Sequence, residues 1–165
     1  MILVIEMRVF IDTQLWVYAQ KQPTPDSFET DSKYQEALDK HEKALAFLQQ
    51  AISEDEIAMT YHQICEIFHA LAFRGNRNTP EYALQFCRVL IQAKYITWHS
   101  VAPSDVERAL ELSQASGIPV WDFLCVLPLI SDVDVLYSCD EHFQNPTIHG
   151  LGPRVENPIG VWQVL

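Results

Sequence analysis

The chain has 165 residues, 48% of them hydrophobic, and 11 basic against 22 acidic side chains give it a net charge of -11. That size fits one globular domain over residues 1–165, able to bury roughly two-thirds of its unfolded surface. The acidic excess excludes broad electrostatic adhesion to nucleic acid or to an anionic membrane, and no apolar run approaches the roughly 20 residues of a membrane-spanning helix.

Residues 1–10 are apolar but carry Glu6 and Arg8 and lack a basic leader, so they read as a strand rather than a signal peptide. Strand-like and helical segments then alternate, the pattern of a parallel sheet covered on both faces by helices. Residues 9–11 form the first strand, ending at Asp12, and 13–19 begin a short helix. Residues 20–31, with Pro23 and Pro25, form a long loop. Ser32 and Gln35 match a capping box for an amphipathic helix with apolar positions Ala37, Leu38, Leu45, Leu48 and Ile52.

Residues 57–60 are the second strand and 62–73 the next helix, broken at Arg74-Gly75-Asn76-Arg77. Thr79-Pro80 opens another helix, with Thr as cap and Pro in the first turn. A third strand at 95–98 is followed by a helix that Ser104 and Glu107 start as a capping box and Gly117 closes. Residues 120–130 read as an apolar helix shortened or kinked by Pro128, and 135–138 as the fourth strand. The tail from 154 to 165 has room for an edge strand, against which Pro153 and Pro158 argue. The cysteines, Cys65, Cys87, Cys125 and Cys139, form no C-x-x-C pair and read as reduced core residues of a cytoplasmic protein.

Three acids stand alone in apolar stretches: Asp12 within 9–20, Glu66 within 57–73 and Asp122 within 112–131. Burying a carboxylate among hydrophobic side chains costs several kcal/mol, roughly, unless it is paired, protonated or metal-bound. Asp12 and Asp140 each follow a predicted strand, so both face the carboxyl rim of the sheet, where parallel α/β sheets bind ligands. Helical stepping puts Ile64, Ile67, Phe68 and Leu71 of residues 62–73 on one face and His62, Glu66, His69 and Phe73 on the other. Asp122 falls in the first turn of its helix, where the dipole favours an anion. Four carboxylates in one crevice repel until a cation neutralises them, and an all-oxygen set suits Mg²⁺ or Mn²⁺.

Each acid also has an ordinary reading: helix cap for Asp12 and Asp122, solvated helix residue for Glu66, acidic turn for Asp140. Together they fall in a pattern. Phe10-Ile11-Asp12-Thr13, Gln63-Ile64-Cys65-Glu66-Ile67-Phe68, Val120-Trp121-Asp122-Phe123-Leu124 and Leu136-Tyr137-Ser138-Cys139-Asp140 with Phe143 resemble, in order and spacing, the four acidic motifs of PIN-domain nucleases. The branch they look most like is the VapC toxins, and Val155-Glu156-Asn157-Pro158 resembles that family's ending. The resemblance covers residues 7–158, leaving 1–6 as an extension or as a misassigned beginning, with Met7 the usual start.

What it implies is a three-layer α/β/α sandwich around a central parallel sheet of four or five strands. It further implies a Mg²⁺-dependent (or Mn²⁺-dependent) endoribonuclease that leaves a 5′-phosphate and a 3′-hydroxyl. Metal would be held by Asp12, Glu66, Asp122 and Asp140, with Ser138 supplying a hydroxyl the family more often draws from Thr. Thr13, Ser138, Arg74 and Arg77 are the candidate substrate-positioning residues. The partners implied are RNA and a small antitoxin, with a homodimer admitted. The antitoxin's apolar segment would lie in a groove along helices 32–52 and 62–73 and bring Arg or Lys to the acids.

The chain departs from the pattern at Gln14, where Asn or Ser is usual, at Pro128, and in its long 20–31 loop. Three other readings stand beside the toxin: a catalytically silent PIN-like module, a housekeeping PIN nuclease, and a phosphatase with Asp12 as nucleophile. The last lacks a second Asp at position 14. His62, Cys65 and His69 share a helical face and admit a zinc reading, but three ligands on one helix fit tetrahedral geometry poorly, so they are read as lining a polar cleft. The four tryptophans show no stacking pattern.

Overall fold

The computed structural model describes residues 7–165. The expected strand at 1–10 therefore lies in its first six residues outside the described part of the chain, as does the expected extension. Five strands form one wholly parallel sheet in the order β3-β2-β1-β4-β5. They are β1 (Arg8–Ile11), β2 (Glu56–Thr60), β3 (Ile96–His99), β4 (Val135–Tyr137) and β5 (Arg154–Glu156). The helices are α1 (Thr13–Gln20), α2 (Asp31–Glu54), α3 (Tyr61–Phe73), α4 (Pro80–Gln92), α5 (Pro103–Ser116), α6 (Val120–Val126) and α7 (Pro146–His149). Among the described residues no helix is long and apolar enough to cross a membrane.

Period-2 alternation in the strands divides the core between two faces. Val9, Ile11, Ile57, Met59 and Val135 pack on one side with Leu15, Trp16, Leu48, Ile67 and Leu71 from α1, α2 and α3. Phe10, Ala58 and Leu136 point to the other side, against Ala109, Phe123, Val126 and Ile148 from α5, α6 and α7. Both faces being covered explains why the strands read as unbroken apolar runs. Phe10 stacks on Phe143 with ring centroids 6.3 Å apart, which pins the segment after β4 to the sheet.

Several expected boundaries move. The second helix begins two residues earlier than the Ser32–Gln35 box implies: Thr30 is its cap, with Oγ1 accepting the Lys33 N–H at 3.3 Å. On the fifth helix the reciprocal bond comes from Asp105, whose carboxylate accepts the Ala102 N–H at 2.8 Å, and Ser104 lies inside the helix rather than capping it. Pro128 does shorten its helix, which passes into a 3-10 turn at Leu127–Leu129. The edge strand in the tail forms despite its flanking prolines because Val155 pairs with Leu136 from the outer side of β4. Cys65 is exposed, correcting its reading as core, whereas Cys87, Cys125 and Cys139 are buried.

The topology fixes where a site can be. From β1 the chain first moves to β2 and β3 on one side and only later returns to β4 on the other. The carboxyl ends of β1 and β4 are thus neighbours at the point where the winding reverses, the place where such sheets open a crevice.

A carboxylate cleft at the carboxyl rim

Asp12, Glu66, Asp122 and Asp140 line one cleft of about 460 Å³, together with Thr13, His62, Arg74, Trp121 and His142. Each acid arrives by a different route. Asp12 caps α1, its Oδ1 accepting the Thr13 N–H at 2.8 Å, while its own N–H is held by the Tyr137 carbonyl of β4 at 2.8 Å. Glu66 projects from the polar face of α3, opposite the buried Ile64, Ile67 and Leu71. Buried Gln63 registers that helix against β1 by donating to the Ile11 carbonyl at 2.7 Å, one residue before Asp12. Asp122 stands in the first turn of α6 and Asp140 just after β4.

Hydroxyls and imidazoles orient these acids. Ser138, fully buried, donates to Asp12 Oδ2 at 2.8 Å and accepts the Asp140 N–H at 3.0 Å, so one hydroxyl couples two of the acids. Thr13 Oγ1 and the Cys125 thiol both donate to Glu66 Oε2, each at 3.2 Å. His142 Nδ1 stands between Asp122 Oδ2 at 3.0 Å and Asp140 Oδ1 at 3.3 Å. His62 Nε2 lies 3.4 Å from Glu66 Oε1, within ion-pair reach but outside hydrogen-bond geometry.

The electrostatics are those of an unneutralised site. Burial, with the Asp122 charge next, pushes the Asp12 carboxyl up to about 8, against the lowering effect of the Ser138 hydrogen bond. Burial and the charges of Asp140 and Glu66 push Asp122 up to about 7. Burial also works against Glu66, but His62, Cys125 and Thr13 outweigh it and hold Glu66 below the usual carboxylate range. Arg74 is the only arginine or lysine lining the cleft among the described residues, so the acids face one another with little fixed positive charge.

Of the expected substrate-positioning residues, Thr13, Ser138 and Arg74 meet this geometry. Arg77 is exposed, in the segment between α3 and α4, and does not line the cleft. His62, Cys65 and His69 do line it, but the three are not gathered as a ligand set; His62 and Glu66 instead meet Cys125 from α6. His142, Cys125 and Trp121 are additions from the structure. Trp121 stacks on His62 with centroids 5.6 Å apart and planes 12° from parallel, and Trp98 stacks on Tyr61, contacts that the sequence did not signal. His142 had one sequence signal, its place two residues after Asp140; Cys125 had none that separates it from core.

No protein-family model and no curated protein sequence matches the chain. Solved structures do. VapBC2 from Rickettsia felis, bound to a DNA fragment from its promoter, aligns over 92% of this chain and 98% of its own at a TM-score of 0.57 and 14% identity. FitAB bound to the IR36 DNA fragment aligns over 95% and 99%, at a TM-score of 0.53 and 11% identity. At such identities the likeness is one of fold, and the fold is PIN-like: a parallel five-stranded sheet in an α/β sandwich.

Proposed function

We propose that this chain is a Mg²⁺- or Mn²⁺-dependent endoribonuclease and the toxin of a toxin–antitoxin pair. The observation that carries the reading is the convergence of Asp12, Glu66, Asp122 and Asp140 on one cleft, with Asp12 and Asp122 pushed up to about 8 and about 7 by burial and by the charges of neighbouring acids. A set of hard carboxylate oxygens short of positive charge fits a small divalent cation. We assign those four residues as its ligands and read the domain as residues 1–165.

Such an ion, when bound, would polarise a phosphodiester oxygen and acidify a neighbouring water. The chain supplies the arrangement. Ser138 and the Thr13 N–H hold the two oxygens of Asp12, Thr13 Oγ1 holds Glu66, and His142 keeps Asp122 and Asp140 side by side. Preorganised acids need no rearrangement when charge develops, which is the larger part of such catalysis. Arg74 at the rim gives a phosphate its one local cation, which the net charge of -11 otherwise denies RNA. We read the products as a 5′-phosphate and a 3′-hydroxyl.

The partner reading draws on VapBC2 and FitAB, the complexes that share the fold. We read an antitoxin's apolar segment as lying along α2 and α3 with an Arg or Lys reaching the acids; a hollow of about 350 Å³ borders α2, lined by Tyr18, Phe28 and Ala37 and by Lys21, Lys33 and Lys40, but no residue of α3 lines it. Exposed Leu84, Val89 and Ile91 on α4 support a homodimer. We read the protein as cytoplasmic.

The test is cleavage of a structured RNA by the purified chain. Activity should stop with EDTA, return with Mn²⁺, and fall by orders of magnitude in Glu66→Gln and Asp122→Asn. Cleavage that survives EDTA, or that persists in Asp122→Asn, overturns the reading.

A further inference from the structure

On the α6 side of the cleft, three donors of different softness meet: His62 Nε2, a Glu66 carboxylate oxygen and Cys125 Sγ all lie within 4.8 Å of one another. His62 and Glu66 are one helical turn apart on α3, a spacing that turns both side chains to one point, and Cys125 closes the group from α6. His62 Nε2 is 3.4 Å from Glu66 Oε1, and Cys125 Sγ is 3.2 Å from Oε2. Ligands held about 2.0–2.3 Å from a tetrahedral ion stand about 3.3–3.6 Å from each other. Two of the contacts, each to a different oxygen of Glu66, are therefore already close to the edge lengths of such a site, and the third pair lies within 4.8 Å.

A second observation concerns the surroundings of the imidazole. His62 Nε2 has less than 1 Å² of its surface open to solvent and makes no hydrogen bond, although its ring is held in place by Trp121. An imidazole nitrogen shut from water, with only a long contact to Glu66 Oε1, is poorly satisfied. From these features we infer that His62, Glu66 and Cys125 form a binding site for a borderline-soft divalent cation, Zn²⁺ foremost, which shares only Glu66 with the four-carboxylate set. The sulfur and nitrogen select against Mg²⁺, which takes oxygen.

Cys125 is a protonated thiol in the metal-free chain, since burial and the Glu66 charge push it well up. Coordination forms a Zn–S bond as the S–H proton leaves to solvent. Glu66 belongs to both donor sets, so Zn²⁺ and the hard cation compete for it. That consequence, inhibition of cleavage by Zn²⁺, rests on the nuclease reading; the binding itself does not.

Cobalt absorption of the full chain tests the site. One equivalent of Co²⁺ should give a thiolate-to-cobalt charge-transfer band and tetrahedral d–d bands, which Zn²⁺ then bleaches. Cys65→Ser should keep both, since Cys65 is the exposed thiol of the cleft. Cys125→Ser should lose the charge-transfer band, and His62→Ala should weaken binding at least about 100-fold, more than the loss of an outer-shell partner costs. Circular dichroism checks that each variant folds. If Cys125→Ser does not, His62→Ala decides, and unchanged Co²⁺ affinity there overturns the site. So does absence of a thiolate band in the wild type, its survival in Cys125→Ser, or its loss only in Cys65→Ser. A chain that binds Co²⁺ through Cys125 yet cleaves no RNA supports the site and refutes the nuclease reading.

Discussion

Replacing Asp12 by Asn should stabilise the metal-free protein, and only at high pH. Asp12 titrates near 8 in the folded chain, raised from 3.8, so between those values the folded state holds a proton that the unfolded state has lost. Stability from this group is therefore full below about pH 4 and is lost as pH rises through about 8. A shift of about 4 units at about 1.4 kcal/mol each sets a ceiling of about 6 kcal/mol. Part of that is shared with Asp122, and the Asn loses the charge-assisted bond from Ser138, worth about 1.5–3 kcal/mol. A net gain of about 3 kcal/mol at pH 9 is expected, or about 6–12 °C in Tm for a chain of this size. The gain should shrink by about 1.4 kcal/mol for each unit of pH below 8, because the unfolded Asp12 recovers its proton only near pH 4, so by pH 5 most of the Tm difference should be gone. Differential scanning fluorimetry in EDTA from pH 5 to 9 measures this directly. A Tm difference that does not change with pH, or a less stable mutant at pH 9, refutes the reasoning.

Ser138→Ala removes the donor that lowers Asp12, so Asp12 should titrate higher still and Mn²⁺ affinity at pH 7 should drop about 10-fold, as calorimetry would show. Arg74→Ala should weaken RNA binding and reduce its salt slope by about 1, while Arg77→Ala, off the cleft, should change neither. Phe143→Ala should cost about 3–5 kcal/mol by deleting the ring that stacks on Phe10. The same change should loosen the segment that carries Asp140 and His142, lowering Mn²⁺ affinity in titration as well.

The acids were legible because a lone charge in an apolar run is conspicuous, and because Asp12 and Asp140 end strands whose type the β-branched and aromatic residues declare. The helix face of Glu66 followed from period alone. Strand order was not legible: nothing in residues 135–137 says that β4 pairs with β1 rather than with β3. Caps failed where several capping residues adjoin, as at Thr30-Asp31-Ser32, or where Ala102 holds the cap position and Asp105 reaches back to it. His142 and Cys125 were missed for different reasons. His142 acts through a 3-10 turn too short to have a periodic signature, and Cys125 is buried on the same helix turn as core residues, its contact with Glu66 arising from tertiary packing alone.

The measurement closest to the central claim is Mn²⁺ binding followed by electron paramagnetic resonance of free Mn²⁺, in wild type, Glu66→Gln and Asp122→Asn. The account predicts that the wild type takes up Mn²⁺ at millimolar concentration or below and that both variants lose most of that affinity, in step with any loss of RNA cleavage. No uptake by the wild type, or undiminished uptake by both variants, would contradict it.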